Sequence, residues 1–163
     1  MLDGIVWPFQ YQAPIIKTAL KNLKYKGRRN IILPFTDFLR ESASVFMLPS
    51  DALVIPIPLY PIRERERGFN QSSMLAHAAF PIPTNSNVLI RIRSTPPQAR
   101  SQSRKERFEH MLDAFFVRTP EMISGKVILL IDDVVTTGAT LSTAAITLKK
   151  AGAAKVFAAT IAH

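Results

Sequence analysis

The segment from Val127 to Thr140, V-I-L-L-I-D-D-V-V-T-T-G-A-T, constrains the fold more than any other stretch of the chain. Its first five residues are apolar and predict a strand that is buried on both faces, as strands of helix-covered parallel sheets are. Two adjacent carboxylates, Asp132 and Asp133, follow at the carboxyl end of that strand. A turn rich in hydroxyl groups then leads into a pattern that predicts a helix over residues 139–151.

A strand, turn and helix of this composition can bind a phosphosugar. The free N–H groups at the start of a helix, together with the positive end of its dipole, attract a phosphate. Gly138 lets the backbone close around the ligand, threonine hydroxyls add hydrogen bonds, and the two acids can accept from a ribose diol. The alternative is an ordinary turn and helix cap, but a cap needs a single carboxylate or hydroxyl, and this segment has two acids and three threonines.

The overall composition predicts one soluble globular domain. The chain has 163 residues, of which 47% are hydrophobic and 20% are charged. Cysteine is absent, which excludes disulfides and thiolate metal sites. No stretch approaches the roughly 20 apolar residues that a membrane span needs, and the first residues do not resemble a secretory signal. We therefore expect no membrane insertion and a cytoplasmic location.

The net charge of +9 leaves two kinds of partner open, a polyanionic small molecule or a nucleic acid. The basic residues form three clusters, at residues 17–29, 63–67 and 91–107. The first cluster begins on a predicted amphipathic helix, and we interpret its lysines Lys17, Lys21 and Lys24 as a solvated helix face.

Strand and helix patterns alternate through the last two thirds of the chain. Helices are predicted at residues 14–24, 34–46, 70–80 and 139–151, and strands at residues 53–58, 88–92, 114–117, 127–131 and 155–161. Residues 59–68 and 95–109 are predicted to be loops. The alternation predicts an α/β fold with a doubly wound parallel sheet, whose ligand site lies beyond the carboxyl ends of the strands. Within the single domain, residues 1–48 would form a helical N-terminal region and residues 49–163 the α/β core.

The second informative stretch, V-I-P-I-P-L-Y-P-I-R-E-R-E-R-G-F-N-Q, covers residues 54–71. Arg63, Arg65 and Arg67 alternate with glutamates ahead of Gly68 and a predicted helix. A pyrophosphate needs several fixed donors, and an arginine-rich loop that ends at a helix N-terminus supplies them. Pairing with the neighbouring glutamates is the alternative. We favour that pairing for Arg65 and ligand contact for Arg67.

Both stretches resemble known sequences. Residues 127–140 resemble the 5-phosphoribosyl-1-diphosphate (PRPP) loop of type I phosphoribosyltransferases. The pattern P-x-P-L-x-x-x-R-x-x-x-R-G-F-N-Q is similar to the competence protein F (ComF) group of phosphoribosyltransferase-like proteins, as are K-Y-K-G-R-R at residues 24–29 and T-P-P-Q at residues 95–98. Members of that group usually carry a four-cysteine zinc-ribbon module before this domain. This sequence has no such module, so we expect either a natural short form of these proteins or a chain that was cut at a domain boundary.

The resemblance implies a fold of the type I phosphoribosyltransferase kind, in which the N-terminal helices form a hood that reads the acceptor. It also implies roles for individual residues. The 5-phosphate would be cradled by Thr136, Thr137, Gly138, Ala139 and Thr140. The ribose hydroxyls would bind Asp132 and Asp133, directly or through water on Mg²⁺, and the ion itself would be held mainly by PRPP. The pyrophosphate would be met by Arg63 and Arg67 beside Gly68. The loop at residues 95–109 would close over the site and exclude water, with Arg104, Lys105 or Arg107 reaching in.

Two functions remain open at this stage. The first is an Mg²⁺-dependent phosphoribosyltransferase with an unknown acceptor. The second is a non-catalytic module that binds PRPP or a nucleotide, or that serves DNA uptake by binding single-stranded DNA or a protein of the competence machinery. A homodimer is among the oligomeric states that the sequence allows.

Overall fold

A computed structural model describes residues 1–26, 31–81, 84–93 and 113–163, with the backbone alone at residues 25 and 26. Its main sheet consists of β1 (Gly4–Val6), β6 (Lys155–Ala162), β5 (Val127–Val134) and β2 (Leu53–Pro56), side by side in that order. All three neighbouring pairs are parallel. The predicted α/β fold with a parallel sheet is therefore confirmed. The edge strand β1 is an addition, since three residues are too short to give a strand pattern in the sequence.

Helices cover both faces of this sheet. The helices are α1 (Pro14–Lys26), α2 (Leu33–Ala43), α3 (Pro61–Arg67), α4 (Gln71–Ala79) and α5 (Ala139–Lys150), of which α3 has no buried residue, with short 3-10 turns at Ser44–Phe46 and Pro120–Met122. Successive side chains of β5 point to opposite faces. Leu129 and Ile131 pack with α1, α2 and α4, whereas Ile128 and Leu130 pack with α5. The sheet is thus doubly wound, as predicted.

The N-terminal helices share the core of the sheet. Leu20 and Leu23 of α1 and Leu39 of α2 are fully buried in the same cluster as Leu129 and Ile131. Burying such side chains is worth about 1.5–3 kcal/mol each, so these contacts fix the position of both helices. The role of these helices as a hood that reads an acceptor stays a prediction.

Two predicted elements differ in the structure. The predicted loop over residues 59–68 contains α3, because Pro61 suits the first turn of a helix and the arginines and glutamates after it are good helix formers. The strand predicted at residues 88–92 is β3 (Leu89–Arg91), which pairs antiparallel with β4 (Phe115–Val117) in a separate ribbon. This predicted strand therefore does not belong to the main parallel sheet.

β5 is longer than its apolar run. The predicted strand ended at Ile131, but the pairing with β6 continues to Asp132 opposite Thr160 and Val134 opposite Ala162. The two carboxylates consequently lie within the strand, and their backbone positions are fixed by the sheet ladder. The predicted closing loop at residues 95–109, including Lys105 and Arg107, lies outside the described residues.

Candidate functional site

The turn from β5 into α5 forms a small open pocket at the carboxyl edge of the sheet. Its lining runs from the end of the strand to the first turn of the helix, passing over Asp133, and comprises Asp132, Val134, Val135, Thr136, Thr137, Gly138, Ala139, Thr140 and Leu141. All five residues predicted to cradle a phosphate are therefore brought together. The Thr137 hydroxyl accepts a long hydrogen bond of 3.4 Å from the Ala139 N–H group.

Gly138 determines the shape of this turn. It precedes α5 with φ 72° and ψ −1°, the left-handed conformation that residues other than glycine rarely adopt. A Cβ atom at this position would meet only Val135, at 3.9 Å, so the constraint is the backbone conformation and not lack of space. The Gly138 carbonyl accepts from the Ser142 N–H at 2.9 Å, which starts the helix directly after the turn.

The two adjacent acids have different surroundings. Asp132 lines the pocket, and its Oδ1 accepts from the Ser72 hydroxyl and from the Asp133 N–H, each at 2.9 Å. Asp133 is only 5% exposed, and its Oδ2 lies 2.6 Å from the Nζ of Lys24 on α1. Asp132 is thus the carboxylate that lines the pocket, and Asp133 is held in a nearly buried ion pair.

Burial raises the pKa of Asp132 to about 7, and the negative charge of Asp133 adds to this effect. The hydrogen bonds from the Asp133 N–H and Ser72 act in the opposite direction, as does the charge of Lys24. Asp132 therefore changes its charge close to neutral pH. A ligand hydroxyl that donates to the carboxylate form competes with this proton.

This pKa predicts how stability depends on pH. Between about pH 4 and about pH 7 the folded chain holds a proton on Asp132 that the unfolded chain has released, so rising pH lowers the free energy of unfolding. One such group contributes a slope of at most about 1.4 kcal/mol per pH unit. We expect Asp132→Asn to flatten the curve from urea unfolding over this range.

Asp51→Asn is the matched control for this experiment. The Asp51 carboxyl bonds Lys126 at 2.7 Å, which lowers its pKa below the ordinary value, so it does not titrate between about pH 4 and 7. Its variant should run parallel to the wild type. If the Asp132→Asn curve is also parallel to the wild type, the raised pKa of Asp132 is contradicted.

α3 places Arg63 and Arg67 one helical turn apart on the same side. Both are half-buried, whereas Arg65 between them is exposed, as expected for residues i and i+4 against i+2 on a helix. Gly68 ends this helix, with φ 75° and its N–H donating to Glu64 at 2.8 Å.

The start of α4 is not the open anion site that the sequence suggested. Asn70 caps this helix, and its side-chain oxygen accepts from the N–H groups of Ser72 and Ser73 at 3.0 and 3.4 Å. The Asn70 amide in turn donates to the Ile57 carbonyl at 3.0 Å. Because an asparagine already satisfies these donors, the arginine side chains are left as the pyrophosphate contacts that this stretch predicts.

Arg91 is a further cation near the site, and the sequence reading placed it only in a basic cluster. Burial lowers its pKa, the charge of Arg63 lowers it further, and Asp132 acts against both. Its guanidinium lies 5.4 Å from the centroid of the Phe115 ring. Arg91 is therefore within electrostatic reach of both Arg63 and Asp132. The ribbon that carries Arg91 pairs residues more than 20 positions apart, so no local pattern could place it.

Lys24 and Ser72 were also missed by the sequence reading. Lys24 was interpreted as part of a solvated face, but its side chain is 26% exposed and is paired with Asp133. A helical pattern shows which residues share a face but not that this face lies over the end of β5. The only signal was the K-Y-K-G-R-R stretch, in which Lys24 is the first residue.

Comparison with known proteins agrees with this geometry. Residues 65–163 match the family described as phosphoribosyl transferase domain. The chain belongs to this family. Within the matched region lie the turn with its left-handed glycine, both acids, and Arg67 and Arg91.

Curated relatives come from the competence and DNA-utilization proteins. The chain is 35% identical over 141 residues to competence protein ComFC of Bacillus subtilis (strain 168), which covers 86% of this chain and 56% of that protein. It is 30% identical over 122 residues to competence protein F of Haemophilus influenzae, covering 72% and 53%. It is 29% identical over 153 residues to DNA utilization protein YhgH of Escherichia coli (strain K12), covering 88% and 65%. These similarities confirm the predicted likeness to the ComF group. The chain spans between half and two thirds of the length of these relatives.

None of the helices within the described ranges has the length and apolar character that crossing a bilayer requires.

Proposed function

We propose that the chain binds PRPP together with Mg²⁺ in the pocket between β5 and α5 and transfers the phosphoribosyl group to an acceptor. The observation that carries this proposal is that Asp132 and the five residues of the turn line one pocket. A phosphate at this turn would lie at the positive end of a 12-residue helix, beside the hydroxyls of Thr136, Thr137 and Thr140.

The acids would hold the ribose. Asp132, which lines the same pocket, would accept a hydrogen bond from a ribose hydroxyl or from water on Mg²⁺. A half-buried carboxylate beside an open pocket suits an ion that keeps most of its waters, and no residue of the chain is assigned as a direct ligand. When bound, Mg²⁺ would offset the charge of the diphosphate as it leaves.

The charges around the pocket favour the reaction. The bond between C1 of the ribose and the diphosphate oxygen breaks, the acceptor forms the new bond to C1, and pyrophosphate carries away the electron pair. Positive charge grows on the ring in the transition state, and the Asp132 carboxylate stabilises it. The guanidinium groups of Arg63 and Arg91 attract the departing pyrophosphate, with Arg67 one turn away on α3.

The test is pyrophosphate release from PRPP and Mg²⁺ with a panel of purine, pyrimidine and amine acceptors. We expect release that requires one class of acceptor and disappears in the Asp132→Asn/Asp133→Asn variant. Release that is absent across the panel, although PRPP binds, would leave a PRPP-binding protein without transferase activity.

A second function, binding of single-stranded DNA, is favoured by a separate observation. Lys17 and Lys21 are exposed on α1, the net charge is +9, and the relatives carry the names competence protein and DNA utilization protein. We propose that this basic face binds the phosphate backbone of DNA during uptake, alone or with a protein of the competence machinery.

For this second function we expect affinity for an oligo-dT that falls steeply with salt. Each phosphate contact contributes about 0.7 to the slope of log affinity against log salt, so Lys17→Gln/Lys21→Gln should lower the slope by about 1.4. The measurement is fluorescence anisotropy between about 20 and 200 mM salt. The control Lys150→Gln/Lys155→Gln removes two cations elsewhere. Absence of binding at the lowest salt, or equal slopes in both double variants, would contradict DNA binding by α1.

A further inference from the structure

We propose that Lys24 is a positioning residue of the phosphosugar site, which acts through Asp133 by pairing with this nearly buried carboxylate and holding it in place beside Asp132. The inference rests on the proposed function, because it concerns the same pair of acids. In this proposal α1 contributes to the site the positive charge that pairs with Asp133.

Packing places Lys24 over the acids. Leu20 and Leu23 of α1 are 1% and 0% exposed, and they lie in one cluster with Leu129 and Ile131 of β5. Lys24 follows Leu23 directly, and its Nζ reaches Asp133 Oδ2 at 2.6 Å. The side chains are 26% and 7% exposed, so the contact is much less hydrated than a surface ion pair.

Asp133 also contacts Asp132, the acid in the pocket. Its backbone N–H donates to Asp132 Oδ1 at 2.9 Å, and the two carboxylates are neighbours in one strand. Two neighbouring carboxylates repel each other when both are charged, and a cation beside one of them weakens that repulsion. Lys24 therefore influences a ligand at Asp132 without lining the pocket itself.

Three other groups surround Asp132. Ser72 of α4 donates to it, Thr160 of β6 is its neutral partner in the sheet, and Arg91 of the ribbon lies within electrostatic reach. Among the described residues that face the pair, Lys24 is the cation in direct contact with either acid. Loss of Lys24 would leave Asp133 buried without its partner and would remove a positive charge that lowers the pKa of Asp132, so Asp132 would hold its proton to higher pH.

The test compares charge-removing and charge-keeping variants in PRPP titrations with Mg²⁺. At about pH 7, Lys24→Met should weaken PRPP binding about tenfold, the equivalent of one pKa unit at Asp132. The loss should shrink as the pH rises toward about 9, because Asp132 is then ionised without the charge of Lys24. Lys24→Arg should stay within about threefold of the wild type, since it keeps the charge. Lys21→Met, which removes an exposed lysine one turn away on the same helix, should bind as the wild type does.

A double-mutant cycle separates action through Asp133 from direct contact with the ligand. In the Asp133→Asn background, Lys24→Met should change PRPP affinity by less than about twofold. An equal loss in both backgrounds would show that Lys24 touches the ligand itself. Tighter binding in Lys24→Met would show that Lys24 competes with the ligand for Asp133. Either result overturns the proposal.

A measurement without ligand keeps this inference separate from the proposed function. Carbon-13 NMR of the aspartate carboxyl groups should show the titration of Asp132 moving to higher pH in Lys24→Met but not in Lys21→Met. Lys24→Gln serves in its place if the methionine variant is not folded by circular dichroism. An unmoved titration overturns the role of Lys24 whatever PRPP does. A moved titration in a protein that binds no PRPP would overturn the proposed function alone.

Discussion

Gly138→Val is expected to weaken PRPP binding by about tenfold to a hundredfold. Gly138 has φ 72°, where a β-branched residue is strained by about 1–3 kcal/mol, and about 1.4 kcal/mol corresponds to a factor of ten in affinity. A change in the conformation of the β5–α5 turn would relieve this strain. Because that turn lines the pocket together with the start of α5, the change would alter the shape of the pocket. Calorimetric titration of PRPP with Mg²⁺ measures the effect.

The chain provides a matched control for this variant. Gly125 has the same φ of 72°, and a Cβ atom there would also meet no crowded neighbour, but it lies before β5 at the opposite edge of the sheet. Gly125→Val should lower the free energy of unfolding about as much as Gly138→Val and leave PRPP affinity unchanged. If both variants weaken PRPP binding equally, the loss reflects general destabilisation, and the turn is not the phosphate site.

Asp132→Asn is expected to weaken PRPP binding by about tenfold to a hundredfold, because a hydrogen bond to a charged acceptor is worth about 1.5–3 kcal/mol. The substitution keeps the shape of the side chain, and an asparagine oxygen can still accept from Ser72 and from the Asp133 N–H. The binding loss should therefore come without loss of fold. Titrations at about pH 6 and about pH 8 should show wild-type affinity rising as Asp132 ionises and the variant unchanged.

Asp51→Asn controls for the change in net charge. Asp51 pairs with Lys126 at the amino edge of the sheet, remote in sequence and fold from the pocket at the carboxyl edge. It should bind PRPP as the wild type does. Wild-type affinity in Asp132→Asn would remove this carboxylate from the ligand site.

The parts of the fold that the sequence predicts well are those with a continuous local pattern. β5, the turn and α5 occupy 24 consecutive residues, and their apolar run, acids and glycine each have one structural interpretation. The pocket follows from the chain itself, since neighbours in sequence line it. Even here β5 extends three residues past its apolar run, because pairing with β6 continues through the polar positions.

The predictions that were wrong or missing concern residues whose positions depend on distant partners or on short elements. Arg63, Arg65 and Arg67 alternate with glutamates, a pattern that is equally compatible with a loop and with α3, and the structure selects the helix. Lys24 looks like a solvated lysine until α1 is packed over β5, 109 residues further along the chain. Arg91 gains its place only from the antiparallel ribbon. The residues that line the pocket are neighbours in sequence and could be predicted, whereas Lys24 and Arg91 join the candidate site only through packing between distant parts of the chain.

Calorimetric titration of PRPP with Mg²⁺ into the wild type and into Asp132→Asn/Asp133→Asn tests the central claim most directly. The proposed site predicts micromolar binding of one PRPP per chain in the wild type, and loss of that binding in a double variant that circular dichroism shows to be folded. No heat of binding in the wild type, or equal affinity in the double variant, would contradict the assignment of this pocket to PRPP.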